Sequence, residues 1–228
     1  MKAMIYQTAA MALLGMSALT AQASSYTLED FTDHGGSGPN LVNHGGNLSG
    51  GIYSFDSNQG LSLDWSGFNP ESYAIDIRFS FNMVGGSWLK ILDFAQLSLD
   101  EGLYVYGDHL QFVENPNSNF IDGPNGAFQN NIFVDLSIVR DGATKRFTGS
   151  LNGLEQFSFI DTRGQAVFTG PNPLATFFID DTATGGGEAG AGRVDFIDVS
   201  SVPLPASAPL WLSGLMLLKG RRHNKIIK

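Results

Sequence analysis

The sequence predicts an all-β chain folded as an antiparallel sandwich. Three observations predict it. Apolar residues alternate with polar ones in short runs across residues 24–201, with no sustained helical period. Turn formers punctuate those runs, and 28 of the 228 residues are glycine. The runs number roughly a dozen, and so many half-apolar strands need two sheets to bury one face each.

The N-terminus precedes that pattern. Lys2 gives a small positive start, Ala9 to Leu19 is apolar apart from Ser17, and Ala21-Gln22-Ala23 is an A-x-A cleavage site. This is the pattern of a signal peptide for the Sec export machinery, so residues 1–23 are expected to be removed and the mature chain to begin at Ser24. The expected strands then follow in order: Tyr26–Leu28, Ile52–Phe55 and Leu61–Trp65 are weak, and Ser72–Met83 is the clearest. Along it Tyr73, Ile75, Ile77, Phe79, Phe81 and Met83 point to one face, and Ala74, Asp76, Arg78, Ser80 and Asn82 to the other. Between the first two strands, Asp33 to Gly46 carries His-Gly-Gly twice, at His34 and His44. Two histidines can hold a metal, but the glycines favour a surface loop.

Trp88–Ala95 and Gly102–Gly107 form an expected hairpin across Ser98-Leu99-Asp100-Glu101, and His109–Val113 continues the meander. Residues 114–130, rich in Asn, Pro and Gly, read as a long loop. Asn131–Arg140 is the second strong strand, with Ile132, Val134, Leu136 and Ile138 on one face. Lys145–Leu151 and Leu154–Ile160 join at Asn152-Gly153, the strongest short hairpin signal in the chain. Ala175–Asp180 and Arg193–Val199 close the pattern across a glycine-rich loop.

Charge and cysteine narrow the function. All 22 acidic residues lie between Glu29 and Asp198, against seven basic residues in 24–201, so that domain carries a formal charge of −15. Such a surface repels nucleic acid and anionic lipid. There is no cysteine, which excludes disulfide stapling and thiolate chemistry and leaves stability to a core of 178 residues.

The last 27 residues have a different composition. Val202-Pro203-Leu204-Pro205 breaks any strand, Ala206 to Leu218 carries no charge, and Lys219, Arg221, Arg222, Lys225 and Lys228 make a basic end. Thirteen apolar residues give a helix of roughly 20 Å, short of the roughly 30 Å hydrocarbon core, and the flanking cations can snorkel to extend it. Those cations favour the cytoplasmic side, which puts the upstream domain outside. The tail resembles the PEP-CTERM sorting signal: Val202-Pro203-Leu204-Pro205 matches its proline motif and Arg221-Arg222 its terminal basic cluster. The resemblance implies transient membrane anchoring, cleavage near the prolines by an exosortase in an exopolysaccharide-producing Gram-negative bacterium, and residence at the cell surface or beyond. The expected organisation is a signal peptide (1–23), a β-domain (24–201) and a sorting signal (202–228).

A second resemblance covers residues 72–199. Asp93-Phe94, Gly102-Leu103-Tyr104-Val105, Val139-Arg140-Asp141-Gly142, Asn152-Gly153 after Ser150-Leu151, and Gly192-Arg193-Val194-Asp195-Phe196-Ile197 are similar, in that order, to the LamG-like, concanavalin A-like family. Asn130-Asn131-Ile132-Phe133 stands where the family usually has Trp-His. The resemblance implies a jelly-roll sandwich that binds glycans or proteins, with exopolysaccharide or another envelope glycan as the expected partner.

The residues themselves show no catalytic signature. None of the six glutamates (Glu29, Glu71, Glu101, Glu114, Glu155, Glu188) has a second carboxylate two residues away, the strand spacing of many glycoside hydrolases, and there is no G-x-S-x-G. A glycan-active enzyme built from scattered carboxylates stays open as the alternative. The one local acidic cluster, Asp180-Asp181 with Glu188 across a glycine loop, suits either calcium or turn formation. Trp65, Trp88, Tyr104 and Tyr106 are the aromatic side chains that could stack on sugars, or pack inward.

Overall fold

The computed structural model describes residues 23–202, apart from 29, 35–37 and 115–118. Ala21, Pro203, Leu204, Pro205, Arg221, Arg222 and the expected helix over Ala206–Leu218 lie outside the described residues. No helix among the described residues is long and apolar enough to cross a membrane.

Among the described residues, fifteen strands form two sheets. In chain order they are β1 (Ala23–Thr27), β2 (Val42–Asn43), β3 (Asn47–Ser49), β4 (Ile52–Phe55), β5 (Leu61–Asp64), β6 (Tyr73–Phe81), β7 (Trp88–Asp93), β8 (Gly102–Tyr106), β9 (His109–Glu114), β10 (Asn119–Asp122), β11 (Val134–Asp141), β12 (Arg146–Leu151), β13 (Leu154–Ile160), β14 (Leu174–Phe177) and β15 (Gly192–Ser201). One sheet runs β13-β12-β11-β6-β15-β4-β3, with β1 also on β15. The other runs β10-β9-β8-β7-β14-β5-β2. Every pairing is antiparallel.

The alternating sequence accounts for this. β6 is central in its sheet, and its odd positions Tyr73, Ile75, Ile77, Phe79 and Phe81 are buried while Asp76 faces solvent. Ile77 lies between Leu136 and Ile197 of the flanking strands. Met83, expected on the same face, is 73% exposed, because β6 ends at Phe81 and the chain turns through Gly85 and Gly86 at φ 114° and 81°. Ile132 likewise falls before β11 and is exposed, so that strand's inward set is Val134, Leu136 and Ile138. The Asn152-Gly153 turn forms as expected, with φ of 51° and 77°, the left-handed pair that a two-residue hairpin of this twist requires.

Rings fill the space between the sheets. Phe178 stacks on Phe55 at 4.7 Å and packs beside Phe79 and Phe81, closing one end of the sandwich. Trp65, Tyr73 and Phe168 close the other, with Trp65 and Phe168 centroids 3.9 Å apart. Buried Arg140 ties the 161–166 turn to the same end: its Nε donates to Asp161 Oδ2 at 3.0 Å, and Asp161 accepts the amides of Gln165 and Ala166. Trp65 and Tyr104 are both fully buried, so neither is a surface stacking ring.

Three short strands were not expected from sequence. β2 lies inside the predicted His-Gly-Gly loop, β3 just after it, and β10 inside the predicted 114–130 loop. β1 pairs with the end of β15, placing Ala23 opposite Ser200. Val202 then closes on Ser72, donating its amide to the Ser72 carbonyl and accepting the Ser72 hydroxyl, both at 3.2 Å. The chain therefore enters and leaves the domain at one end.

Candidate functional site

The candidate site is built on the outer face of the seven-stranded sheet. Along β7, β8 and β9, Leu89, Ile91, Leu103, Val105, Leu110 and Phe112 point into the core. Alternation sends Trp88, Tyr104, Tyr106, His109 and Gln111 to the opposite face. Register aligns them: Trp88 faces Tyr106, Tyr106 faces His109, and Tyr104 faces Gln111. Gln111 in turn faces Asp122 on β10, and Val113 faces Phe120.

The result is a row of rings. Trp88 stacks on Tyr106 at 4.4 Å and 26°, and lies 6.3 Å from Phe120 at 30°. Tyr106 meets His109 edge-on at 5.7 Å. The indole plane is fixed from its polar edge: Trp88 Nε1 donates to Gln111 Oε1 at 2.7 Å, and Gln111 Nε2 donates to Asp122 Oδ1 at 2.6 Å. Phe120 is 44% exposed. Between Trp88, Phe120 and Val113 opens a cleft of about 160 Å³, whose remaining walls are Asp100 and Glu188.

The two carboxylates come from different loops. Glu188 belongs to the glycine-rich loop after β14, which folds back over β7 so that its carbonyl accepts the Lys90 amide at 2.8 Å. That loop is pinned internally. Asp180 Oδ2 accepts the Thr184 hydroxyl and the Glu188 amide, and Asp181 Oδ1 accepts the amides of Ala183 and Thr184. Asn58 reaches across to the Gly186 carbonyl at 2.8 Å.

Under the loop lies a buried charge network. The Lys90 ammonium, fully enclosed, sits 2.7 Å from Asp181 Oδ2 and 3.3 Å from Asp93 Oδ2, and donates to the Tyr104 hydroxyl at 2.6 Å. The Tyr104 ring lies 4.7 Å from the same ammonium, and its hydroxyl reaches Asp100 Oδ1 at 3.2 Å. Burial raises the Asp93 carboxyl against the pull of Lys90. Burial, then Asp100, Asp180 and Asp181, push the Glu188 carboxyl up to about 7, with Lys90 opposing. Near neutral pH Glu188 therefore both donates and accepts hydrogen bonds, a useful property beside hydroxyl-bearing ligands.

Asp180, Asp181 and Glu188, the cluster suited to either calcium or turn formation, do converge on this loop. An internal ammonium, Lys90, stands against Asp181, and the Glu188 amide and the Thr184 hydroxyl take up Asp180 Oδ2. Calcium takes six to eight oxygens, and among the described residues no group of three or more His, Asp or Glu side chains is arranged to hold a metal ion. The two His-Gly-Gly histidines have separate partners, His34 with Asp30 and His44 with Ser62. Of the processing residues, Ala23 opens β1, Ser24 is buried beside β15, and Val202 ends the last strand's contacts. Of the four rings that could stack on sugars or pack inward, Trp88 and Tyr106 sit on the platform. Phe120 was missed because it lies in a loop-like composition; its only signal is the apolar pair Phe120-Ile121 between Asn119 and Asp122.

No family model and no curated protein matches the sequence. Solved structures do match. Domain 4 of AbnA, a GH43 extracellular arabinanase from Geobacillus stearothermophilus, determined in complex with arabinotriose, aligns over 82% of this chain and 96% of its own, at 15% identity and TM-score 0.58. A structure of botulinum neurotoxin type C, described as dependent on two ganglioside molecules for cell entry, aligns over 84% of this chain at 11% identity and TM-score 0.59. NanB sialidase from Streptococcus pneumoniae aligns over 68% of this chain at 15% identity and TM-score 0.50. The chain spans half the length of that neurotoxin chain and about a quarter of the sialidase. At these identities the likeness establishes the fold alone, an antiparallel jelly-roll β-sandwich.

Proposed function

We propose that this chain is an exported, noncatalytic cell-surface or matrix protein that binds glycan on the outer face of its seven-stranded sheet and is processed by an exosortase at Val202–Pro205. The observation that carries the binding reading is the Trp88–Tyr106–Phe120 platform beside the Asp100–Glu188 cleft. The C–H faces of a sugar ring stack on aromatic faces, and flanking carboxyl and amide groups take its hydroxyls. The structural likenesses include proteins solved or described with arabinotriose and gangliosides, which supports a saccharide rather than a nucleic acid ligand. The −15 charge of the domain favours neutral glycans at this acidic cleft. Export and tail processing rest on the sequence signals at the two ends of the chain.

The test is retention of the purified full-length protein on immobilised neutral polysaccharides, arabinan among them. Trp88→Ala should weaken retention about tenfold, the size of one lost stacking contact with its buried area. Retention unchanged by that substitution removes the platform from the reading.

One observation favours a second reading, a glycosidase. Asp100 and Glu188 line the same cleft, and a carboxyl held near 7 beside a second carboxylate is the arrangement of a general acid and its partner. Release of reducing ends that disappears in Glu188→Gln would establish this reading over the binding one.

A further inference from the structure

A surface depression roomier than the aromatic cleft lies on the other sheet. It is a trough of about 450 Å³ at the β3–β4–β15 end, walled by Asn47, Ser54, Asp56, Gln59, Asn82 and Arg193. Its volume falls within the range of small-ligand sites. Register explains the assembly: Asn47 faces Ser54 across β3 and β4, and Ser54 faces Arg193 across β4 and β15, so the three share the outer face. No aromatic ring other than the inward Phe55 borders the trough, so stacking is not its mode of recognition.

Arg193 is the only cation on its walls. Of the basic residues of the domain, Arg78, Lys90 and Arg140 each have a carboxylate partner, Arg78 (Asp135, Asp195) and Lys90 (Asp93, Asp181) having two each. Among the described residues no carboxylate pairs with Arg193. Its guanidinium is held in place all the same: it lies 5.1 Å from the Phe133 ring centre, and Nη2 donates to the Asn131 carbonyl at 3.2 Å. Its Nε is enclosed and has no hydrogen-bond partner. A positioned guanidinium with donor capacity to spare, in a cavity otherwise walled by amides, a hydroxyl and one carboxylate, matches a ligand with one carboxylate and many hydroxyls. Asn47, Gln59 and Asn82 offer donors and acceptors, and Asp56 accepts from hydroxyls. The net charge of the domain does not prevent this, since charges beyond about 8 Å are screened at physiological ionic strength.

We propose that this trough is a second saccharide site, selective for acidic sugars, in which Arg193 pairs with a uronate carboxylate. It is separate from the aromatic platform and does not depend on it.

The probes are tetragalacturonate and its methyl ester, which keeps the hydroxyls and loses the charge. Binding to the full-length protein is measured by calorimetry at 0.15 M salt. The wild type should bind the free acid at least tenfold more tightly than the ester. Arg193→Gln should abolish that preference, and Trp88→Ala should leave it intact. Ser54→Phe fills the trough from an exposed strand position that favours aromatics, and should block the acid without removing the guanidinium. Equal binding of acid and ester, no binding of the acid, or a preference that survives both Arg193→Gln and Ser54→Phe overturns the proposal. A preference lost in Trp88→Ala alone assigns the acid to the platform and overturns it equally. Failure of Trp88→Ala to affect neutral glycans bears only on the platform.

Discussion

Replacing Lys90 with methionine removes the one cation from the buried network and keeps most of its volume. Two enclosed carboxylates, Asp181 at 2.7 Å and Asp93 at 3.3 Å, then face each other and the Tyr104 hydroxyl with no counter-charge. Removing one partner of a buried pair costs about 3–5 kcal/mol, because the other charge stays desolvated. In a domain of this size each kcal/mol lowers Tm by about 2–4 °C, so K90M should melt roughly 10 °C or more below the wild type. Removing both partners is different. An apolar or neutral pair of similar volume is often close to neutral, so K90M with D181N should recover most of the loss. Coupling of more than about 1 kcal/mol in the cycle is the signature of direct contact. The assay is thermal and denaturant unfolding of all four proteins at pH 7. Additive losses, or a K90M protein as stable as wild type, would refute the reasoning, since either means that the ammonium does not compensate Asp181. The cycle also reports on the cleft: Asp181 anchors the loop that carries Glu188, so K90M should weaken glycan retention along with stability.

Three further outcomes are expected. Burial pushes the Glu101 carboxyl from 4.5 to about 7 despite a hydrogen bond from Gln165, so the folded state holds a proton that the unfolded state releases. Stability from this group is present below pH 4.5 and is lost as pH rises to 7, by about 3 kcal/mol at most; Glu101→Gln should flatten that slope in denaturant titrations from pH 4 to 8, and an unchanged slope would exclude Glu101 as its source. Ile77→Asp places a charge at a fully buried position between Leu136 and Ile197 and should cost about 4 kcal/mol or more, whereas Asp76→Asn, exposed and directly opposite Asp198, should be neutral or slightly stabilising; equal melting of the two contradicts the strand's orientation. Replacing Val202-Pro203-Leu204-Pro205 with alanines should leave an unprocessed, membrane-retained form, and mass spectrometry that finds the intact tail on protein released from unaltered cells would count against exosortase handling.

The two-sheet fold was legible because its strong strands carry their own signal. β6 has five large apolar residues at period two, and Asn152-Gly153 specifies its hairpin locally. The short strands were not legible. β2, β3 and β10 total nine residues, mostly polar, and exist because a neighbouring strand offers them hydrogen bonds rather than because of their own propensity. The platform was half legible. In β8 the run Leu103-Tyr104-Val105-Tyr106 is apolar on both faces, so local pattern cannot tell that Tyr104 lies under a loop while Tyr106 joins Trp88. The cleft was not legible at all. Asp100 and Glu188 are 88 positions apart, and the partner of Asp181 lies 91 positions upstream, so no spacing rule brings them together.

Ala23 and Ser200 are cross-strand neighbours, and this has a mechanical consequence. Ala23 and Val202, the first and last described residues, sit at the Tyr73 end of β6, since Tyr73 faces Ser201 there. Trp88 and Arg193 lie at the Phe81 end, where Gly190 comes close to both Phe81 and Leu89 and Gly192 pairs with Phe81. Nine residues of β6 separate the two ends, about 25 Å of extended chain. A domain tethered through the segment after Val202 therefore hangs by one pole with its opposite pole outward. The two candidate ligand faces then lie toward the pole away from that attachment. A linker added at either terminus would lengthen the leash without crossing the outer pole, so display on a bead, a phage or a cell should leave ligand access intact.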